Sequence, residues 1–137
     1  MTLDPDERKT LIDHRLTRAD ETLAEAVLLK ENRKYAAAVS RAYYCMFYAL
    51  SALAVSEGYK TGKHAQLIGW FNKTWVRTGK INSRYSKMIY RAFDKRMLGD
   101  YSDLPSFSES EVDNLIAEGA EFIEMLKNLL KSDTSLS

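Results

Sequence analysis

The apolar residues of this chain recur every three to four positions, which is the period of an α-helix. No stretch shows the alternation of apolar and polar residues that a β-strand requires. The pattern predicts helices that begin at Asp4, cover 35–57, 63–77 and 83–98, and begin again at Ser108. Five amphipathic helices with short connections predict an all-α fold, an antiparallel up-and-down bundle of four to five helices. We assign 1–131 to one bundle and 132–137 to a polar C-terminal tail.

Two of the predicted helices carry start signals. Asp4 can cap the first helix, Pro5 suits its first position, and Glu7 can close a capping box. Ser108 and Glu111 have the same spacing at the start of the last helix. Both helix starts are therefore predicted from local chemistry as well as from periodicity.

The second helix is the least polar and raises the question of a membrane span. Its segment 35–55 is long enough, but Arg41 lies inside it and Ser40 and Ser51 interrupt it. Alanine and tyrosine dominate where leucine and isoleucine would be expected in a span. We therefore predict a buried central helix and no membrane association. Its expected core seam consists of Val39, Tyr43, Met46, Leu50 and Leu53.

Arg41 is the first candidate for function, because an unpaired charge in such an apolar segment is costly. Tyr44 lies on the same polar-aromatic line of the helix, and Asp100 is a possible partner. One interpretation is a buried Arg41–Asp100 ion pair that fixes the packing of the second helix on the fourth. The other is a polar pocket in which Arg41 and Arg96 present guanidinium groups to phosphate. The two interpretations can coexist. The sequence is compatible with a fourth helix that ends at Gly99, which leaves Asp100 on a loop, and with one that continues.

His64 and a group of tyrosines are further candidates with two interpretations each. His64, at the start of the third helix, could bind phosphate or act in acid–base chemistry, or it could cap the helix or face solvent. The helical spacing of the aromatic residues in the second helix favours a place in the core or in a subunit interface over a role in stacking on nucleic-acid bases. The glycines and lysines of 58–63 resemble a phosphate loop only faintly, and the spacing favours a plain turn.

Composition limits the kinds of ligand, metal site and cellular location that fit this chain. The chain has 137 residues, 45% hydrophobic and 28% charged, with a net charge of +1, so a nucleic-acid contact would need a local patch. A single cysteine excludes an internal disulfide and a cysteine-rich zinc site, and two histidines do not complete a classical structural zinc site, so we predict no metal and no cofactor. The N-terminus lacks the features of a signal peptide, so we expect a cytoplasmic protein. The apolar faces of the second helix predict a homodimer.

Several motifs resemble those of the HEPN domain family, whose name stands for higher eukaryotes and prokaryotes nucleotide-binding. Together they span about residues 10–130. They are Ser40-Arg-Ala-Tyr-Tyr-Cys-Met-Phe47, Lys63-His64, Phe71-Asn72-Lys73, Thr78-Gly79, Arg91-Ala-Phe93 and Arg96 through Asp100-Tyr101. The resemblance implies a helical bundle that is commonly dimeric. It also implies frequent pairing with a minimal nucleotidyltransferase in a toxin–antitoxin-like module.

Many members of this family are metal-independent ribonucleases with an arginine, four to six residues and a histidine on a late helix. No histidine follows Arg91 or Arg96 in this chain, and Asp100 and Tyr101 stand in that region instead. His64 could substitute only if the fold brings it to Arg96. We therefore predict no catalytic residue and a binding site made of Arg41, Tyr44, His64, Arg96, Asp100 and Tyr101. The ligand would be a nucleotide or RNA. A ribonuclease toxin with a degenerate site and a structural dimer module are the alternatives.

Overall fold

The described part of the chain forms five α-helices, as the period of the apolar residues predicted. The structure, a computed structural model, describes the backbone of residues 3–101 and 106–136 and the side chains of 3–100 and 106–131. The helices are α1 (Pro5–Glu31), α2 (Tyr35–Glu57), α3 (His64–Phe71), α4 (Ser83–Tyr101) and α5 (Glu109–Leu136). No strand occurs in the described backbone, so the predicted all-α bundle is confirmed.

Both predicted capping boxes are present. The Glu7 backbone N–H donates to Asp4 Oδ1 at 2.8 Å, and the Asp4 N–H donates to Glu7 Oε1 at 3.3 Å. The Glu111 N–H donates to Ser108 Oγ at 3.1 Å, and the Ser108 N–H donates to Glu111 Oε2 at 3.2 Å. These reciprocal bonds satisfy backbone donors that the first turn of a helix leaves without partners.

Helix α2 is the central element, and each of the other four helices contacts it. Every residue of the predicted seam is buried, and Tyr43, Met46, Leu50 and Leu53 have no exposed surface. The helix is long and apolar enough to cross a membrane by length and composition, yet 61% of its most apolar window is buried inside the bundle. Packing against four neighbours accounts for its low polarity.

Helix α5 approaches α2 closely at Gly119. A Cβ atom at this position would lie 2.8 Å from Cys45 Sγ and 3.7 Å from the Ala42 carbonyl oxygen. The buried Cys45 thiol donates to that same carbonyl at 3.1 Å. Glycine is therefore required here for close packing of two helices rather than for an unusual backbone angle.

The predicted third helix, 63–77, is helical over nearly that range, but its second half is not an α-helix. The α-helix ends at Phe71, and a π-helical turn follows over Asn72–Val76, closed by a 2.8 Å bond from the Arg77 N–H to the Asn72 carbonyl. The side chain of Asn72 accepts a hydrogen bond from the buried Ser86 hydroxyl at 2.9 Å. This contact with α4 anchors the wider turn. The apolar spacing of the sequence is compatible with both kinds of turn, so periodicity did not distinguish them.

Helix α4 continues through Gly99, which the sequence had left open. A Cβ atom at Gly99 would lie 3.3 Å from the Phe107 ring. The glycine thus makes room for an aromatic side chain that packs on the helix, and it does not terminate it. Asp100 consequently lies one helical turn after Arg96.

Candidate functional site

The candidate site is built around the ring of Tyr44 on α2. Arg41, one turn earlier on the same helix, places its guanidinium carbon 5.2 Å from the ring centroid. Arg96 reaches the same ring from α4, at 5.1 Å. A guanidinium is attracted to the electron-rich face of an aromatic ring. Packing of α4 on α2 therefore brings together two arginines that are 55 positions apart in the sequence.

His64 joins the same group from the start of α3. Its ring stacks on Phe47 with centroids 4.0 Å apart and meets the edge of the Tyr44 ring at 5.7 Å. Its Nδ1 atom lies 2.7 Å from the hydroxyl oxygen of Tyr43. The short connection between α2 and α3 returns the chain to the middle of α2, so three aromatic side chains of that helix hold the imidazole.

The surroundings of His64 favour its neutral form. Burial lowers the pKa of His64 below its usual range, and the positive charge of Arg96 lowers it further. Burial also raises the pKa of the Tyr43 hydroxyl, which therefore keeps its proton. The hydroxyl of the fully buried Tyr43 has His64 Nδ1 as its hydrogen-bond partner, and donation to Nδ1 is the arrangement that gives its retained proton an acceptor. The ring proton of neutral His64 then resides on Nε2, where it can be donated to a ligand.

Arg96 is paired by charge but not by a directed hydrogen bond. Its Nε atom lies 3.0 Å from Asp100 Oδ2, one turn later on α4. The Nε–H is nevertheless not aimed at the carboxylate, and this buried nitrogen has no hydrogen-bond partner among the described residues. The Arg96 side chain is 19% exposed. Its donors remain available to an acceptor that enters the site.

The predicted ion pair between Arg41 and Asp100 is not found. Arg41 instead faces Glu25 of α1, with 3.7 Å between Nη1 and Oε1, and its side chain is 34% exposed. The expectation that Arg41 is a buried charge was therefore wrong. The rotation of α1 against α2 determines this pairing, and the sequence of α2 alone does not reveal that rotation.

Other arginines of α4 behave differently. Arg84 donates to Glu121 at 2.6 Å, and Arg91 donates to both carboxylate oxygens of Glu118, one of them at 2.7 Å. Arg41 and Arg96 donate no hydrogen bond to any group of the described part of the chain. Arg91, which the sequence grouped with Arg96, thus serves as a link between α4 and α5.

Of the six predicted binding residues, Arg41, His64 and Arg96 meet around the ring of Tyr44, and Asp100 contacts Arg96. The side chain of the sixth, Tyr101, lies outside the described residues. Sequence reasoning missed the role of Tyr43, which it assigned to the core only. A hydroxyl in a core seam needs a partner, and that requirement could have pointed to one of the two histidines. Among the described residues, no group of three His, Cys, Asp or Glu side chains could hold a metal ion.

Comparison with known proteins confirms the family resemblance that the sequence motifs indicated. A profile of the HEPN domain matches residues 12–129. The chain belongs to the HEPN domain family.

Two relatives are 35% identical to this HEPN protein. One is a UPF0332 protein of Thermotoga maritima, aligned over 125 residues that cover 91% of this chain and 95% of the relative. The other, from Methanocaldococcus jannaschii, is named as a candidate toxin and aligns over 114 residues, 82% of this chain and 84% of its own. A second M. jannaschii protein with such a name is 27% identical over 128 residues, covering 93% of this chain and 87% of the relative.

Proposed function

We propose that this HEPN protein binds the phosphate groups of a nucleotide or nucleic acid at the Tyr44 site, in a toxin-like role. One observation carries the proposal. Arg41 and Arg96 converge on one ring without donating hydrogen bonds to described groups, whereas Arg84 and Arg91 are bound to carboxylates. Two relatives named as candidate toxins support the toxin-like role.

Hydrogen-bonding geometry, rather than a strong local field, would drive this binding. Each guanidinium faces one carboxylate, Glu25 or Asp100, so the charges of the site nearly balance. A phosphate oxygen can accept the parallel N–H bonds of a guanidinium, which neither carboxylate accepts in this arrangement. His64 Nε2–H adds a neutral donor beside them. A ligand would therefore gain directed bonds at a site that is already assembled.

A binding measurement tests the proposal. Fluorescence anisotropy with a labelled oligoribonucleotide, and competition by ATP, should give a Kd that rises about tenfold or more in Arg96→Ala. Arg77→Ala is the matched control, because Arg77 is exposed and no contact places it near Tyr44. Unchanged affinity in Arg96→Ala would refute the site. Absence of binding in the wild type would favour a structural dimer module instead.

Metal-independent RNA cleavage is a second candidate, and the position of His64 favours it. The fold brings this histidine to the rings that hold Arg96, and the charge of Arg96 acts on it. In cleavage, the 2′-oxygen loses its proton and attacks phosphorus, and the P–O5′ bond breaks as O5′ gains a proton. The Nε2–H of His64 could protonate O5′. A base for the 2′-hydroxyl would require the other tautomer, in which Nδ1–H donates to Tyr43.

Incubation with total RNA in the presence of EDTA separates the two candidates. Degradation by the wild type that is lost in both Arg96→Ala and His64→Ala would establish a ribonuclease. Binding without degradation would leave the phosphate-binding function as proposed. Arg77→Ala again controls for nonspecific effects on surface charge.

The partners predicted from the family resemblance remain proposals. We propose a cytoplasmic homodimer that pairs with a minimal nucleotidyltransferase. Light scattering should give twice the chain mass of 15.7 kDa. Expression of the chain alone should slow growth, and coexpression of a minimal nucleotidyltransferase should restore growth. Normal growth with the chain alone would argue against the toxin-like role.

A further inference from the structure

His64 and Phe47 also border a large cavity that none of Arg41, Tyr44 and Arg96 lines. The cavity has a volume of about 1020 Å³ and lies between the first half of α1, the second half of α2 and the connection 58–63. Sites for drug-sized ligands usually have volumes of roughly 300–1,000 Å³. The space is therefore at the upper end of that range, and His64 forms part of the wall shared with the Tyr44 site.

The lining of the cavity suits an anion. Arg8, Arg15 and Lys60 line it together with His64, and the lining residues that the structure describes include no aspartate or glutamate. Such a one-sided set of charges is notable in a chain whose net charge is only +1. The cavity therefore concentrates positive charge that the rest of the molecule balances elsewhere.

Both arginines of the cavity, Arg8 and Arg15, have donors that the bonds within the bundle do not use. The Nε–H of Arg15 is buried and has no hydrogen-bond partner among the described residues. Arg8 is fixed at the end of α2, because its Nη1 donates to the carbonyl oxygens of Val55 at 3.0 Å and Ser56 at 3.3 Å. The Nε and Nη2 of Arg8 are not used in those bonds. An acceptor in the cavity would satisfy donors that the bundle itself leaves open.

The remaining wall is aromatic and apolar. Tyr59 lines the cavity and is supported from behind by Trp70, whose ring stacks on it at 4.7 Å with an interplanar angle of 9°. Phe47 is held in the same way by His64. Cationic side chains combined with fixed aromatic rings are the usual means of binding single-stranded nucleic acid.

We propose that this cavity is a second subsite for the ligand of the Tyr44 site, and that the ligand is a single strand of several nucleotides. This inference rests on the proposed phosphate-binding function. One phosphate contacts Arg41 and Arg96, the strand passes His64, and later phosphates contact Arg15, Arg8 and Lys60. His64 Nε2–H donates to the strand where the two subsites meet. A mononucleotide would occupy only one of them.

The dependence of affinity on length tests the inference. Fluorescence anisotropy is measured with labelled oligouridylates of two, four and eight nucleotides, and with the deoxy octamer. In the wild type, affinity should rise with length. Arg15→Ala should weaken octamer binding about tenfold and leave the dinucleotide unchanged. It should also reduce the slope of log K against log salt by about 0.7 for each lost phosphate contact.

Two controls keep the outcomes distinguishable. Lys60 is exposed on this connection, and Lys60→Ala should show the same length-dependent loss, with circular dichroism confirming that the variant is folded. Arg96→Ala should weaken ligands of every length, because it removes the first subsite. Equal octamer affinity in wild type, Arg15→Ala and Lys60→Ala would overturn the second subsite while the Tyr44 site stands. Losses that do not depend on length, or tight binding of UMP to the cavity alone, would also overturn it. If Arg96→Ala has no effect at any length, the proposed function itself fails.

Discussion

At the level of single residues, His64 connects the core to the candidate site. Its Nδ1 atom is hydrogen-bonded to the hydroxyl of Tyr43, a fully buried residue. Its ring contacts Tyr44, the aromatic residue that both arginines also contact. The imidazole is therefore oriented by the core. Its protonation responds to Arg96.

The first prediction concerns the effect of Arg96 on the pKa of His64. Arg96→Ala should raise the pKa of His64, because the mutation removes a positive charge that disfavours the imidazolium form. Burial remains and keeps the pKa below that of a solvent-exposed histidine. NMR titration of the imidazole C–H resonances, assigned with a His14→Gln variant, measures the change. An unchanged or lower pKa in Arg96→Ala would mean that the two side chains do not interact in solution.

The second prediction concerns the stability contributed by Arg41. The side chain is about one-third exposed and faces Glu25 at 3.7 Å. Arg41→Ala should therefore lower the free energy of unfolding by only about 1 kcal/mol or less. Urea denaturation of this variant beside Arg77→Ala provides the comparison. A loss of about 3 kcal/mol or more would instead indicate the buried, paired charge that the sequence first suggested.

The residues of the site were more predictable than their pairings. Arg41, Tyr44 and Arg96 stood out because each breaks or borders an apolar stripe. Their partners could not be predicted, because the Arg41–Glu25 contact depends on how α1 is rotated against α2. The bond between Tyr43 and His64 depends on the path of a short loop. Both are properties of the assembled bundle rather than of any segment.

Among the helices, two glycines allow close packing in the middle of regular structure. Gly99 accommodates the Phe107 ring on α4, and Gly119 lets α5 approach Cys45 on α2. Glycine lowers the stability of an isolated helix by about 1 kcal/mol relative to alanine. Contact between elements compensates for that cost here.

The third prediction tests this contact between α5 and α2. Gly119→Ala should lower the free energy of unfolding by about 1–2 kcal/mol, because overpacking outweighs the gain in helix propensity. The added methyl group would lie 2.8 Å from Cys45 Sγ. Cys45→Ala removes that sulfur, so the double variant should be more stable than the sum of the single effects by about 1 kcal/mol.

Urea denaturation of the four proteins completes this double-mutant cycle. Additive effects would show that another contact of Gly119, such as the one with Leu23, limits the approach of the helices.

Helix positions were predicted well where the signal is local. The capping boxes of Asp4 and Ser108 fix two starts through side-chain chemistry that a sequence displays directly. The π-helical turn after Phe71 was missed because its stabilising partner, Ser86, belongs to another helix. The packing role of Gly99 within α4 likewise depends on Phe107, which returns from outside the helix.

For the molecule as a whole, His64 makes stability depend on pH. In the unfolded chain a histidine titrates with a pKa of about 6.5, and in the folded protein the pKa of His64 is lower. As pH falls through about 6.5, the unfolded chain therefore binds a proton that the folded protein does not. The contribution of neutral His64 to the free energy of unfolding is therefore fully present above about pH 6.5 and is lost as the pH falls below that value.

The fourth prediction follows from this linkage. Between pH 8 and pH 6 the Tm of the wild type should fall by more than that of His64→Gln, which cannot titrate in this range. Differential scanning calorimetry in buffers of matched ionic strength measures both. A parallel decrease in the two proteins would assign the pH dependence to other groups.

The buried thiol of Cys45 makes the opening of the bundle observable with chemical reagents. It is the sole cysteine of the chain, and burial raises its pKa to about 12, so the thiolate that reacts with disulfide reagents is scarce in the folded state. The rate of modification by such a reagent therefore reports how often α2 becomes accessible. A ligand that binds only the folded protein should slow that reaction in proportion to its occupancy. Ligand binding can therefore be measured from the rate of Cys45 modification, without a label on the protein or the ligand.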